Sequence, residues 1–547
     1  MEFDYLVIGA GSAGSVLASR LSEDPQCRVG LVEAGPADRS VLIHCPAGLA
    51  LLAKNGQANW GFETVPQPGL GGRRGYQPRG KVLGGSSSVN AMIYVRGQRE
   101  DYDAWAAEGN PGWGFDDLLP YFLRAEDNAR GASAWHGTGG PLHVMDLCDP
   151  NPHSAAFVEA GRQAGFPVNA DFNGATQEGV GMYQVTHRRG ERCSAAKAYL
   201  APAVSRPNLT VITGAQALRV VLDGRRAVGV EVQRGGRREL LRARAEVLLS
   251  AGALQSPQLL MLSGIGPADE LQRHGIAIAH ALPGVGRNLH DHVDVVQVVD
   301  APRITDLFGL SLPGAWAVWR GIGRWRRERR GLLTTNFAEA GGFLRTDPGE
   351  ATPDIQLHFV IGKLVDHGRK TVFGHGYSCH VCLLRPRSRG TLTLASADPL
   401  AAPRIDPNFL GDDEDTARLV RGFKLMRRIL QQPALAALGG RELATSAGAQ
   451  TDAQIEAFVR SHADTIYHPV GTCRMGADDQ AVVDARLRVR GLEGLRVVDA
   501  SVMPRVVSGN TNAPVIAMAE KAVDLIRADA RAAAPALQQL QPEPAAA

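Results

Sequence analysis

No run of apolar residues in this chain approaches the length that a membrane-spanning helix requires. A secretory signal is missing as well. Glu2 and Asp4 precede the first short apolar run, and no basic stretch leads into it. The expectation is a cytoplasmic protein. Cysteine is scarce: Cys27, Cys45, Cys148, Cys193, Cys379, Cys382 and Cys473 are odd in number and scattered, which fits reduced thiols and excludes a disulfide framework. Cys379 and Cys382 form a C-x-x-C, but they lie in an alternating, strand-like stretch with no second pair of metal ligands. Charge imbalance is also small, and a formal +3 gives no reason to expect nucleic acid as a partner. Internal repeats are absent. What remains is an ordinary globular composition, 44% hydrophobic and 21% charged, over 547 residues, enough for two or more domains.

The stretch from Phe3 to Gly35 organises the rest. A short buried-strand run, Tyr5 to Ile8, leads into Gly9, Gly11 and Gly14 at the spacing G-x-G-x-x-G, and a helical pattern follows with Val16, Leu17 and Leu21 on one face. A second apolar run, Val29 to Val32, ends in Glu33. Each part has a task in holding a dinucleotide. Gly9 permits a tight turn, Gly11 lets the backbone approach a pyrophosphate, and Gly14 lets helix and strand pack closely. The helix N-terminus offers free N–H groups to phosphate, and Glu33 stands where a carboxylate accepts hydrogen bonds from a ribose. This fingerprint alone does not separate FAD from NAD.

Further along, residues 79–94 (RGKVLGGSSSVNAMIY) carry too many small residues to build a core. They suit close backbone approach to something flat and polar. Residues 246–250 read as another buried strand, Ala251-Gly252 as a turn and Pro257 as a first-turn helix residue. Residues 208–232 read as strands around the hairpin turn Asp223-Gly224. Residues 300–460 carry strand-like runs at 355–360, 377–384 and 390–394, then helical stretches at 415–431 and 452–461. The sequence closes with a strand–loop–helix unit in which Asn512 is an N-cap candidate and Pro514 lies in the first turn. From Ala528 the tail is rich in Ala, Pro and Gln, and the expectation is disorder over 529–547.

Four stretches, 79–94, 252–266, 465–476 (TIYHPVGTCRMG, with His468 before Pro469) and 495–514, resemble the signatures of the glucose–methanol–choline (GMC) family of FAD-dependent oxidoreductases, and the likeness spans roughly residues 3–528. The resemblance implies an α/β protein, α+β overall. A Rossmann-like FAD-binding domain is assembled from 1–155, 191–299 and 461–528, with a discontinuous substrate domain from 156–190 and 300–460 built on an antiparallel sheet with helices. Carried over residue by residue, it implies that FAD meets Ser12 and Ala13 of the first loop, Ala34 after Glu33, and Trp60. In the first signature it implies Val82, Gly84, Gly85, Ser86, Asn90, Ala91, Met92 and Ile93. Ala217, Ala251 and Gly252 fall on the adenosine side, and Asp499, Ala500, Asn510 and Thr511 near the closing helix. His468 is implied as the general base and Asn512 as the second polar group at the flavin. The chemistry needs these types, because hydride leaves an alcohol carbon readily only as the hydroxyl proton is removed, and an amide donor can hold the alkoxide oxygen. Some choline-oxidising relatives attach flavin through a histidine where this chain has Val89, so the FAD is expected to be non-covalent.

Within the family the chain resembles bacterial membrane-associated alcohol dehydrogenases that pass electrons to quinones, on residues 337–343, 366–370 and 386–390, and choline dehydrogenases share the same base and asparagine. The implied reaction is oxidation of a primary alcohol to an aldehyde, with a quinone or other non-nicotinamide acceptor. Choline oxidation is the alternative, with Glu339 as a candidate partner for the cation. His290 and His292 are read as organisers of local structure rather than metal ligands, and no metal is expected. Residues 313–330 hold Trp316, Trp319 and Trp325 among six arginines and one glutamate between Arg320 and Arg330. Two readings stay open: a surface helix with inward tryptophans and solvated arginines, or peripheral contact with anionic lipid on the cytoplasmic face of a membrane. Oligomeric state is not legible.

Overall fold

The computed structural model describes residues 1–56, 58–365 and 370–538. Strand β1 (Glu2–Ile8) is buried from Tyr5 onward except at its exposed start, as befits a parallel strand covered on both faces. A glycine turn leads to helix α1 (Ser12–Leu21), and β2 (Val29–Glu33) returns parallel to β1 with Ile8 opposite Val32. Helix α2 (Pro152–Gln163) and β3 (Gly179–Met182) belong to the second half of the molecule. The chain re-enters the first sheet with β4 (Leu209–Thr213), β5 (Ala215–Asp223), β6 (Arg226–Arg234) and the long β7 (Arg237–Leu249). β7 changes partners along its length. Its first part pairs antiparallel with β6 and its last part runs parallel to β1, Leu249 opposite Ile8. Helix α3 (Gln255–Leu262) packs against β5.

A second sheet begins with β8 (Val293–Asp300). After helix α4 (Leu312–Glu328) it gains β9 (Ala338–Leu344), β10 (Ile355–Val360) and β11 (Gly376–Leu383), in the order β8-β11-β10-β9-β3, antiparallel throughout. Helices α5 (Asp413–Leu430) and α6 (Asp452–His462) cover one face with α2. Strand β12 (Leu495–Val497) then joins the first sheet beside β7, and α7 (Asn512–Gln538) packs on α1. Two apolar cores result, one around β1, α1 and α7 and one between the second sheet and α5. Among the described residues no helix is long and apolar enough to cross a membrane.

Alternation along the second sheet decides what faces the interior. On β10, Ile355, Leu357 and Phe359 enter the core under α5, so Gln356, His358 and Val360 take the opposite face. On β11, Cys379 joins that core, and Cys382, three positions on, points the other way. The two thiols of the C-x-x-C therefore diverge.

Two boundaries differ from expectation. β8 belongs to the second sheet, so the division falls before Val293 rather than at 299. The tail expected to be disordered from 529 continues α7 to Gln538, because an alanine-rich run favours helix and Asp529 ion-pairs with Arg486 and Arg496. Residues 539–547, and 366–369 of the 366–370 segment, lie outside the described residues.

Candidate active site

The two sheets enclose one large cavity of about 1530 Å³, lined by the first glycine loop, the small-residue stretch, the cavity face of the second sheet and the start of α7. That exceeds the ~300–1,000 Å³ of ordinary ligand pockets and leaves room for a dinucleotide and a substrate together.

At the cofactor end, Gly9 takes φ +96°, and any Cβ there would lie 2.5 Å from the Ser250 carbonyl oxygen. Gly11 is different: a Cβ would meet nothing within 4 Å, because the backbone faces the open cavity. Ser12 and Ala13 begin α1 at this wall. Glu33 is buried, its carboxylate accepting from the N–H groups of Ala10 (3.0 Å) and Gly35 (2.8 Å), and burial pushes its pKa up to about 7. Ala34, Trp60, Ala217, Ala251 and Gly252 line the same end, and among the described residues the buried Ser250 hydroxyl has no hydrogen-bond partner. The small-residue stretch explains itself by its neighbour. The Gly84 N–H donates to the Ala10 carbonyl (2.8 Å), and a Cβ on Gly85 would lie 2.7 Å from the Gly11 Cα, so the stretch is laid directly on the first loop. Asn90 fixes the exit by accepting from the Met92 N–H (3.0 Å), with Met92 at φ +59°. Gly85, Ser86, Asn90, Ala91, Met92 and Ile93 all reach the wall.

Three expected cofactor residues do not. Gly14 is sealed against the Gly9 carbonyl, where a Cβ would come within 1.8 Å. Val82 sits in a small core with Ile43, Leu52 and Ala58, and Gly84 is spent on its contact with Ala10. Asp499 lines the cavity, yet its carboxylate is occupied by Gly252 N–H (2.9 Å), the Ser256 hydroxyl (2.6 Å) and Ser501 N–H (2.8 Å). It clamps the closing loop, which carries Ala500, to the second strand–glycine–helix unit.

At the other end stands His468, half-buried after Tyr467, whose φ of +75° is uncommon for a bulky residue. Asp291 holds that strained turn. It accepts from the His468 N–H (2.7 Å) and the Thr465 hydroxyl (2.5 Å), while Arg79 donates to the Tyr467 carbonyl (2.6 Å). His290 behaves as expected, bridging the Asn288 carbonyl and the Val506 N–H. His292 does more, and the sequence reading missed it. Its Nε2 lies 2.9 Å from the Leu384 carbonyl, which can only accept, so Nε2 carries the proton and Nδ1 the lone pair. That lone pair lies 3.1 Å from His468 Nδ1, which must then be the protonated nitrogen of His468. His468 Nε2 is left bare. Burial, then His292, Arg79 and His358, hold the His468 pKa well below its usual value, so the ring is neutral at pH 7.

The amide facing this lone pair belongs to Asn510, not Asn512. Asn510 Nδ2 stands 3.5 Å from His468 Nε2, and Gln356 donates to Asn510 Oδ1 (3.2 Å), which turns the amide N–H groups toward the histidine. Asn512 begins α7 and accepts from the Ser12 hydroxyl (2.7 Å), tying the starts of the last and first helices together. The amide expected at the histidine from Asn512 is therefore supplied by Asn510. Asn512, with Thr511, belongs to the cofactor wall. His358 was also missed. It is 4% exposed, lines the cavity opposite His380 on the neighbouring strand, and among the described residues neither ring nitrogen has a partner. Burial pushes its pKa down to about 3, leaving a neutral ring with one donor and one acceptor for a ligand. The period-2 pattern of residues 355–360 was the available signal, since it sets two polar residues against a core-facing triplet.

Glu339 does not face the cavity. Its carboxylate accepts from Thr335 (2.7 Å), the Asn151 N–H (2.7 Å) and Ser154 (2.8 Å) at the start of α2. Among the described residues the cavity wall has only Glu33 and Asp499 as acids, both committed to backbone N–H groups at the cofactor end.

The residues present fit FAD. Two helix N-termini converge, open space lies over Gly11, a buried carboxylate waits after β2, and an orphan hydroxyl sits at the second glycine turn. Comparison with known proteins agrees. Residues 3–294 match the N-terminal and residues 386–519 the C-terminal family model of the GMC oxidoreductases. The chain is 49% identical to an alcohol dehydrogenase (acceptor) of Pseudomonas putida, over 96% of this chain and 95% of that one. It is 47% identical to the mitochondrial choline dehydrogenase of Mus musculus, over 96% and 89%. Among solved structures, pyridoxine 4-oxidase from Mesorbium loti superposes with a TM-score of 0.85 at 34% identity, covering 95% of this chain and 98% of that one.

Proposed function

This chain belongs to the GMC oxidoreductase family, the FAD-dependent enzymes that oxidise alcohol-type donors, and from that premise we propose that its own donor is a neutral primary alcohol converted to the aldehyde. One observation carries the choice of a neutral donor: among the described residues no carboxylate faces the cavity at the His468 end. A quaternary ammonium group would need an acid or an aromatic cage there. The cavity wall instead offers apolar side chains such as Ile93, Phe337, Ala338 and Val360, and the charge beside the histidine turn is Arg79.

His468 Nε2 accepts the hydroxyl proton while the Asn510 amide donates to the same oxygen, which aims the carbinol carbon at the cofactor wall. FAD, when bound, supplies the hydride acceptor. Gln356 keeps the Asn510 amide from rotating, and His292 keeps the Nδ1 proton in place so that the lone pair stays on Nε2. Once His468 takes the proton, the surroundings that lower its pKa favour release, which resets the base. Val89 offers no nucleophile for covalent attachment, so FAD is dissociable, and reduced enzyme passes electrons to a quinone or another non-nicotinamide acceptor.

Choline is the second reading, favoured by the 47% identity to a choline dehydrogenase. Anaerobic titration of the purified flavoprotein separates the two. Bleaching of the visible flavin band by 1-octanol and not by choline is expected, and bleaching by choline alone would replace the proposal.

A further inference from the structure

Helix α4 is built the wrong way round for a helix whose neighbours are only protein and water. Gly314, Gly321 and Trp325 face inward, the last with its indole N–H donating to the Gly190 carbonyl (2.8 Å). At the complementary 3–4 residue spacing the solvent face carries Leu312 (88% exposed), Trp316 (59%), Trp319 (64%) and Ile322 (42%). Trp316 and Trp319 stack with centroids 5.0 Å apart. Phe373, 78% exposed, bridges to Leu310 beside the start of the helix and extends the ridge. Toward the C-terminal end the same helix exposes Arg320, Arg324, Arg326 and Arg327 against one acid, Glu328, which pairs with Arg324. Arg320, Arg326 and Arg327 have no carboxylate partner among the described residues.

Leu310, Leu312, Trp319, Ile322 and Phe373 also line the outer end of the cavity. Residues that are both exposed and cavity-lining mark its mouth.

We propose that this ridge docks the protein on an anionic lipid bilayer, with the mouth of the cavity opening into the lipid. Large apolar side chains with interfacial tryptophans, fringed by arginines lacking partners, match acyl chains below and negative headgroups beside them. A second copy is the less suitable occupant, since a two-fold interface would set the same arginines against each other. The consequence for access, that apolar alcohol or acceptor enters from the membrane without crossing water, rests on the proposed function. The docking itself does not.

The test uses the FAD-loaded full chain and no alcohol, so that its failure is separate from any failure of the substrate assignment. Co-sedimentation is measured with phosphatidylcholine vesicles and with vesicles containing phosphatidylglycerol. It is repeated for W316S/W319S and for R320Q/R327Q, and flavin content and melting temperature report that both variants fold. Binding to the anionic vesicles is expected to weaken at least about tenfold in the tryptophan variant, in line with the loss of two interfacial aromatics. The arginine variant should lose about fivefold per charge and, unlike the tryptophan variant, most of its salt dependence. Absence of vesicle binding overturns the proposal, as does binding that both variants retain in full. A vesicle-independent dimer abolished by W316S/W319S would assign the ridge to a second copy and overturn it as well.

Discussion

Asn510 and Asn512 are two residues apart, identical in chemistry and both at the cavity wall, yet their partners give them different work. Replacing Asn510 with alanine removes the donor aimed at the alkoxide oxygen. Turnover is expected to fall by about 10²–10³ with flavin retained. Asn512→Ala instead breaks the link to Ser12, so FAD should bind more weakly while the loaded enzyme turns over nearly normally. Flavin reduction in single-turnover experiments on both variants decides the matter, and the reverse pattern would restore Asn512 to the catalytic pair. His468 makes a prediction with a sign. Its pKa lies well below the usual value of about 6.5, so the active, unprotonated form persists to lower pH. kcat/KM should therefore be flat through neutrality and fall only on the acid side, well below about pH 6.5. His292→Leu removes the acceptor for the Nδ1 proton. It should forfeit part of the ~10²–10⁴ that a positioned base supplies, chiefly in kcat, because nothing then holds the lone pair on Nε2.

At the scale of elements, the first strand–glycine–helix unit separates two glycines that look alike in sequence. Gly14 closes α1 onto the β1 turn, and a methyl there would collide with the Gly9 carbonyl at 1.8 Å. Gly11 has an ordinary φ of −72° and open space where its Cβ would be. Gly14→Ala is expected to prevent folding of the first domain, seen as insoluble or flavin-free protein with broadened melting. Gly11→Ala is expected to fold with an unchanged far-ultraviolet circular dichroism spectrum and to bind FAD more weakly, because its methyl occupies space the cofactor needs. A soluble, flavin-replete Gly14→Ala would contradict this account of the packing. The second sheet makes a related point. Its alternation buries Ile355, Leu357 and Phe359 under α5, and by that fact alone delivers Gln356 and His358 to the cavity.

Over the whole molecule, the two ends of the chain are tied together. α7 packs on α1, and beyond its expected end Asp529 reaches back to Arg496 (2.7 Å), which is nearly fully buried and also holds Glu246 (2.5 Å). Truncation after Ala528 removes one of those two carboxylates and leaves Arg496 with Glu246 and the Arg486 carbonyl as its acceptors. A loss of about 1–3 kcal/mol is expected, read as a lower melting temperature of the FAD-loaded protein. No change would mean that the last helical turns contribute nothing to stability.

The sequence by itself determined the family, the cofactor loop, the candidate base and the existence of a second, antiparallel domain. Those features are written locally: a glycine spacing, a strand ending in Glu33, a histidine before proline, a period of two. Only the tertiary structure decided which asparagine meets His468, that His292 sets its tautomer, that Glu339 turns away toward α2, and that two of three tryptophans on α4 face outward. The physical reason is the same in each case. These residues act through partners tens to hundreds of positions away, and a side chain's direction at a loop or helix end is set by whichever distant donor or acceptor the fold brings within about 3 Å.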